Sequence, residues 1–116
     1  MRGTVVGNTA DEGGGIYTYA SYSSGPSPTL SATLIDSTVA GNVGGGIEND
    51  NDGLLALTNS TVTRNIGDGI RDGGFGGLEG SATLVRSRVT RNTGVGIGPS
   101  SPFALIDSRV TDNGGE

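Results

Sequence analysis

Apolar residues recur along this chain at fixed places in a repeat. Leu34, Val39 and Ile47 are followed by Leu57, Val62 and Ile70, and then by Leu84, Val89 and Ile97. The segments LIDSTVAGNVGGGI from Leu34, LTNSTVTRNIGDGI from Leu57 and LVRSRVTRNTGVGI from Leu84 share the frame L-x-x-S-x-V-x-x-N-x-G-x-G-I. A further copy, LIDSRVTDNGGE, begins at Leu105, and a partial one runs from Gly3 to Asn8 and resumes at Gly13, Gly15 and Ile16. Successive Leu positions lie 23, 27 and 21 residues apart, so the frame is rigid while the period is loose. Such a unit buries its apolar side only by stacking on a neighbour, which predicts a solenoid with its length variation on one side.

The repeated runs are short, β-branched and separated by Gly and Asn, which predicts strands. With side chains alternating along each strand, Val39, Val62, Val89 and Val110 point inward and stack about 4.8 Å apart. Leu34, Leu57, Leu84 and Leu105 form a second inward column, and Ile16, Ile47, Ile70 and Ile97 a third. Asn8, Asn42, Asn65, Asn92 and Asn113 make a structural ladder, expected where the chain bends. Asn tolerates left-handed backbone angles, and its amide bonds to the Asn above and below. The expected fold is one all-β domain over 1–116, a parallel β-helix of about four to five rungs, above the roughly three that a repeat protein needs. Neither end carries a capping segment, which predicts a piece of a longer solenoid or a unit that stacks end to end.

Composition narrows the chemistry. Gly makes up 23 of 116 residues, and Gly inside a helix costs about 1 kcal/mol relative to Ala, which argues against a helical domain. No Gly-x-y triplet repeats, so collagen is excluded. With no Cys and no His, disulfides, thiolate or imidazole metal sites and His-based acid–base chemistry are all excluded. The net charge is −5, with every positive charge an Arg, so general nucleic-acid binding is not expected. No apolar run matches a signal peptide or a membrane span, and membrane insertion is not expected.

The motifs resemble the right-handed parallel β-helix proteins of the pectin-lyase-like superfamily. Within it, they are similar to the Gly-Gly-x-Ile and Phe-x-x-Asn repeats of polymorphic outer-membrane proteins and related bacterial surface proteins. Gly45-Gly46-Ile47 matches the first element closely; Gly67-Asp68-Gly69-Ile70 and Gly94-Val95-Gly96-Ile97 match it loosely. Val39, Val62, Val89 and Val110 stand where that family has Phe. The resemblance implies a right-handed coil in a parent protein that is extracellular or on the cell surface. It leaves activity open, because this scaffold carries lyases, hydrolases, tailspikes and non-catalytic adhesins alike.

Segments of 17, 9, 13 and 7 residues separate each Ile from the next Leu, and such a rim on a rigid scaffold is where function is grafted. The first holds Tyr17, Tyr19 and Tyr22; alternation turns Tyr17 and Tyr19 outward, suited either to stacking on sugar faces or to packing against their own loop. The second reads Glu48-Asn49-Asp50-Asn51-Asp52-Gly53, a candidate calcium loop through Glu48, Asp50 and Asp52, or else a solvated acidic turn. Glu48 replaces its first Asp, and Asn59 sits where a bidentate carboxylate is needed. Two outward columns, Thr38-Thr61-Arg88-Arg109 and Gly41-Arg64-Arg91-Asp112, make Arg64, Arg88, Arg91 and Arg109 a candidate anion site for an acidic polysaccharide, the alternative being solvated side chains partly neutralised by Asp112. Arg86 and Asp107, equivalent on consecutive rungs, are expected to form a salt bridge.

The paired carboxylates of glycoside hydrolysis are not found at matching rung positions, so no catalytic residue is assigned. The expectation is a non-catalytic structural or adhesive segment of a bacterial surface or secreted protein, with glycan binding. The alternative is a piece of a polysaccharide-degrading lyase or hydrolase whose catalytic rungs lie outside this chain. No cofactor is expected beyond the calcium candidate.

Overall fold

Each turn of the coil contributes three short strands, one to each of three stacked sheets. In the computed structural model, which describes residues 2–10, 14–19, 31–50, 54–73, 81–99 and 103–115, the first turn comprises β1 (Thr4–Val6), β2 (Ile16–Tyr19) and β3 (Ser31–Ile35). The second comprises β4 (Thr38–Ala40), β5 (Ile47–Asp50) and β6 (Leu54–Thr58); the third, β7 (Thr61–Thr63), β8 (Ile70–Gly73) and β9 (Ser81–Val85). The fourth comprises β10 (Arg88–Thr90), β11 (Ile97–Pro99) and β12 (Phe103–Ile106), and β13 (Arg109–Thr111) opens a fifth. Equivalent strands stack into three wholly parallel sheets, ordered β1-β4-β7-β10-β13, β2-β5-β8-β11 and β3-β6-β9-β12. The chain is a parallel β-helix, and the described residues contain no helix.

The three predicted apolar columns are in register. Val5, Val39, Val62, Val89 and Val110 pair across the first sheet, Ile16, Ile47, Ile70 and Ile97 across the second, and Leu34, Leu57, Leu84 and Leu105 across the third. Their central members are buried, whereas Leu105 is 42% exposed. A fourth column, Ala32-Leu55-Ala82-Phe103, lies two residues before the Leu column on the same side, with Leu55 and Ala82 buried. It falls outside the shared frame, which begins at Leu, although the period of two from Leu57 back to Leu55 already implies it.

The Asn column forms the expected ladder, but the left-handed backbone belongs elsewhere. Positive φ falls on the residue before each ladder Asn: Gly7, Gly41, Arg64, Arg91 and Asp112. The Asn residues themselves are held by their amides. The side-chain Nδ2 of Asn42 donates to Asn65 Oδ1, that of Asn65 to Asn92 Oδ1 and that of Asn92 to Asn113 Oδ1, each at 2.9 Å. The left-handed residue turns the chain by one position so that the next side chain enters the interior, where the neighbouring Asn satisfies it.

A second corner repeats the arrangement between the third sheet and the first. Asp36, Asn59, Arg86 and Asp107 take positive φ there, and the Ser that follows each is laddered. The backbone N–H groups of Ser37, Ser60 and Ser87 donate to Oγ of Ser60, Ser87 and Ser108 at 3.1, 3.1 and 3.0 Å. Ser60 Oγ in turn donates to Thr58 O at 2.9 Å. Both corners therefore satisfy their buried polar groups from rung to rung, which holds every turn at the same phase.

Gly is required where the chain passes beneath the Asn ladder. A Cβ on Gly46 would lie 2.5 Å from Gly69 O, 2.6 Å from Val62 Cγ1 and 2.8 Å from Asn65 Nδ2. That contact explains the Gly directly before each column Ile.

Candidate functional site

Inward Val residues on the first sheet oblige their neighbours to face out. Thr38, Thr61, Arg88 and Arg109 pair as one outward column, and Ala40, Thr63, Thr90 and Thr111 as a second, in which Ala40 and Thr63 are covered and buried. The two left-handed corners flank these columns, adding Asn59, Arg86 and Asp107 on one side and Arg64, Arg91 and Asp112 on the other. On the fourth turn the row across the face reads Arg86, Arg88, Thr90, Arg91, with Arg64 one rung before it and Arg109 one rung after.

All five of these arginines are exposed. The ion pairs among the described residues are Arg2 Nε to Asp36 Oδ2 and Arg71 Nη1 to Glu48 Oε1, each at 3.6 Å. The expected Arg86–Asp107 salt bridge therefore does not form, and Asp112 pairs with neither Arg64 nor Arg91. Both corners are open to water, where such a pair is worth only about 0–1 kcal/mol and leaves long side chains unordered. Two adjoining shallow clefts cross this face. One, of about 630 Å³, lies over the Asn59–Arg86–Asp107 corner; the other, of about 310 Å³, lies over the Arg64–Arg91–Asp112 corner; they share Thr61, Arg88 and Arg109. Arg86, read in the sequence as half of a salt bridge, belongs instead to this row.

Arg64, Arg86 and Arg91 hold φ of 55°, 47° and 59°. A non-Gly residue in this region is less stable by about 1–2 kcal/mol. At the same two corners other turns carry residues that adopt it more readily, Gly41 in one and Asn59, Asp36 and Asp107 in the other.

The second sheet carries the other candidates. Tyr17, Glu48, Arg71 and Gly98 share one column. Tyr17 is 47% exposed, Tyr19 is paired through its backbone with Asp50, and Tyr22 lies outside the described residues. Glu48 is not a solvated loop carboxylate: its side chain is 6% exposed and faces the Arg71 guanidinium. A buried carboxylate needs such a partner, because its desolvation is otherwise uncompensated. Of the other calcium candidates, Asp50 closes β5 and Asp52 lies outside the described residues. A cleft of about 230 Å³ beside the pair is lined by Gly45, Glu48, Gly67, Asp68 and Arg71; Asp68 Oδ1 already accepts the Val95 N–H at 2.8 Å.

In comparisons with known proteins, no family model matches this chain, and neither does any curated protein or solved structure.

Proposed function

We propose that the chain is a non-catalytic structural and adhesive segment of a bacterial surface or secreted β-helix protein, similar to the Gly-Gly-Ile repeat proteins that its motifs resemble, and that it binds glycans on its outer faces. One observation carries this reading: hydrogen-bonded ladders lock two corners of the turns, while the outward side chains of the first sheet stand in rank-and-file order with their arginines in no ion pair among the described residues. A surface held rigid before contact loses little conformational entropy on binding, which suits adhesion to a repetitive polymer. Parallel stacking adds the contour length of such a protein one rung at a time, about 4.8 Å each.

A glycan array probed with the 116-residue chain, coupled to an assay for newly released sugar ends, tests the proposal. Retention of at least one glycan without product release is expected. Cleavage of a retained polysaccharide would favour the other reading, a segment of a polysaccharide-degrading enzyme. Retention of no glycan would remove the adhesive reading.

A further inference from the structure

Five of the seven positive charges of this acidic chain converge on one face of three turns. We infer that the outer face of β7, β10 and β13 is a binding site for a linear acidic polysaccharide. Arg88 and Arg109 hold its oxyanions at the centre, and Arg86, Arg64 and Arg91 hold them at the two corners. The inference rests on the adhesive reading and narrows it to one face and one class of ligand.

The arrangement is unfavourable without an anion. Arg88 stacks on Arg109, and Arg64 on Arg91 at the equivalent corner, one rung apart, so like charges face each other at about 4.8 Å of backbone spacing, with no carboxylate paired to them among the described residues. Three of the five also hold left-handed backbone that Gly or Asn would adopt at lower energy. Side chains kept against local stability, and gathered in one place, mark a site under a demand other than folding.

The chemistry of the face selects the ligand. Guanidinium forks bind planar or tetrahedral oxyanions through paired hydrogen bonds, which a carboxylate or a sulfate ester accepts. The hydroxyls of Thr61, Thr90 and Thr111, interleaved with the arginines on the same face, match the neutral hydroxyls of a sugar ring. The rung spacing is close to the length of one hexose in an extended chain, and the adjoining clefts form a continuous shallow track. Single-stranded nucleic acid fits less well. The strands β7, β10 and β13 contain no aromatic residue, so they offer no stacking platform for bases.

The test uses substitutions that the chain already carries at equivalent positions, so the fold is expected to survive. Arg88→Thr with Arg109→Thr restores the residue of Thr38 and Thr61; Arg2→Ser is the charge control, at an arginine paired with Asp36 on the first turn and outside both clefts. Circular dichroism and the melting temperature verify folding. Binding is then measured by calorimetry or surface retention against alginate, dextran sulfate, uncharged dextran and single-stranded DNA.

The wild-type chain and the Arg2→Ser control are expected to bind alginate, dextran sulfate or both, more weakly as salt rises. The double variant is expected to bind at least about tenfold more weakly, the scale of a lost charge-assisted hydrogen bond. Binding of alginate alone assigns a uronate ligand, and binding of dextran sulfate alone a sulfated one. DNA bound as tightly as the acidic glycans would overturn the inference, as would a double variant that behaves like the control. Binding of dextran alone overturns the acidic ligand while leaving adhesion standing. Binding of none of the polymers overturns the inference here, and the glycan array separately decides the adhesive reading.

Discussion

Asn65 spans one turn of the coil to reach Asn92. Its side-chain Nδ2 and its backbone N–H both donate to Asn92 Oδ1, at 2.9 and 3.0 Å, and the same Nδ2 also reaches Val39 O at 3.2 Å. On the other side, Asn65 Oδ1 accepts the corresponding pair of donors from Asn42 at 2.9 Å each. Replacing Asn65 by Ala therefore removes the Oδ1 that accepts two Asn42 donors and the Nδ2 that donates to Asn92 Oδ1 and Val39 O, while Asn92 Oδ1 keeps the backbone N–H of residue 65. Each unsatisfied buried group costs about 1–3 kcal/mol, so Asn65→Ala is expected to lose about 3 kcal/mol in urea titration, a large share of the roughly 5–15 kcal/mol that holds a domain folded.

The left-handed corners predict the opposite sign. Arg64→Gly and Arg91→Gly place Gly where φ is 55° and 59°. Relief of the steric penalty, less the greater backbone entropy of Gly, leaves about 0.5–1 kcal/mol of stabilisation for each. Gly41→Arg, at φ 66° on the preceding turn, is expected to destabilise by a similar amount. Melting temperatures of the three variants check both signs, and a fall in melting temperature for either Arg→Gly variant would contradict the account of these corners.

Gly46 and Gly98 separate crowding from mere glycine content. A Cβ at Gly46 meets three atoms within 2.8 Å, including the backbone oxygen of Gly69, whereas one at Gly98 meets only the Val95 side chain, no closer than 3.4 Å. Overpacking a rigid site costs about 1–3 kcal/mol. Gly46→Ala is expected near the upper end of that range and Gly98→Ala near zero, read from the midpoints of denaturant unfolding.

The Glu48–Arg71 pair is buried at one end and open at the other, with side-chain exposures of 6% and 53%. Solvent screens the Arg, so the full penalty for breaking a buried pair does not apply. Arg71→Met is expected to lose about 1–2 kcal/mol, and adding Glu48→Gln to recover most of it. A double-mutant cycle on thermal stability measures the coupling; a double variant no more stable than Arg71→Met alone would show that Glu48 is held by its other contacts rather than by the guanidinium.

Column membership was legible in the sequence because it follows from spacing alone. Val62 and Val89 occupy the same place in the frame, and any stacked arrangement that buries one buries the other. The central column of the Arg face was legible for the same reason, since Thr61, Arg88 and Arg109 inherit their register from the Val beside them. Side-chain pairing was not legible: Arg86 and Asp107 share a column yet form no ion pair, and Glu48 lies in an acidic run yet is buried against Arg71. Both outcomes depend on how far each side chain stands from water, which spacing does not encode.

Spacing alone sets the β-solenoid and the membership of its columns, because a repeating frame can bury its apolar positions only against copies of itself. The folded turn places the left-handed backbone on a particular residue at each of these corners, ladders Ser and Asn through specific donors, and leaves five arginines across two adjoining clefts with no ion pair among the described residues. Those features depend on the three-dimensional closure of each turn, where a rotation of one residue in φ determines whether a polar side chain meets its counterpart on the next rung or water.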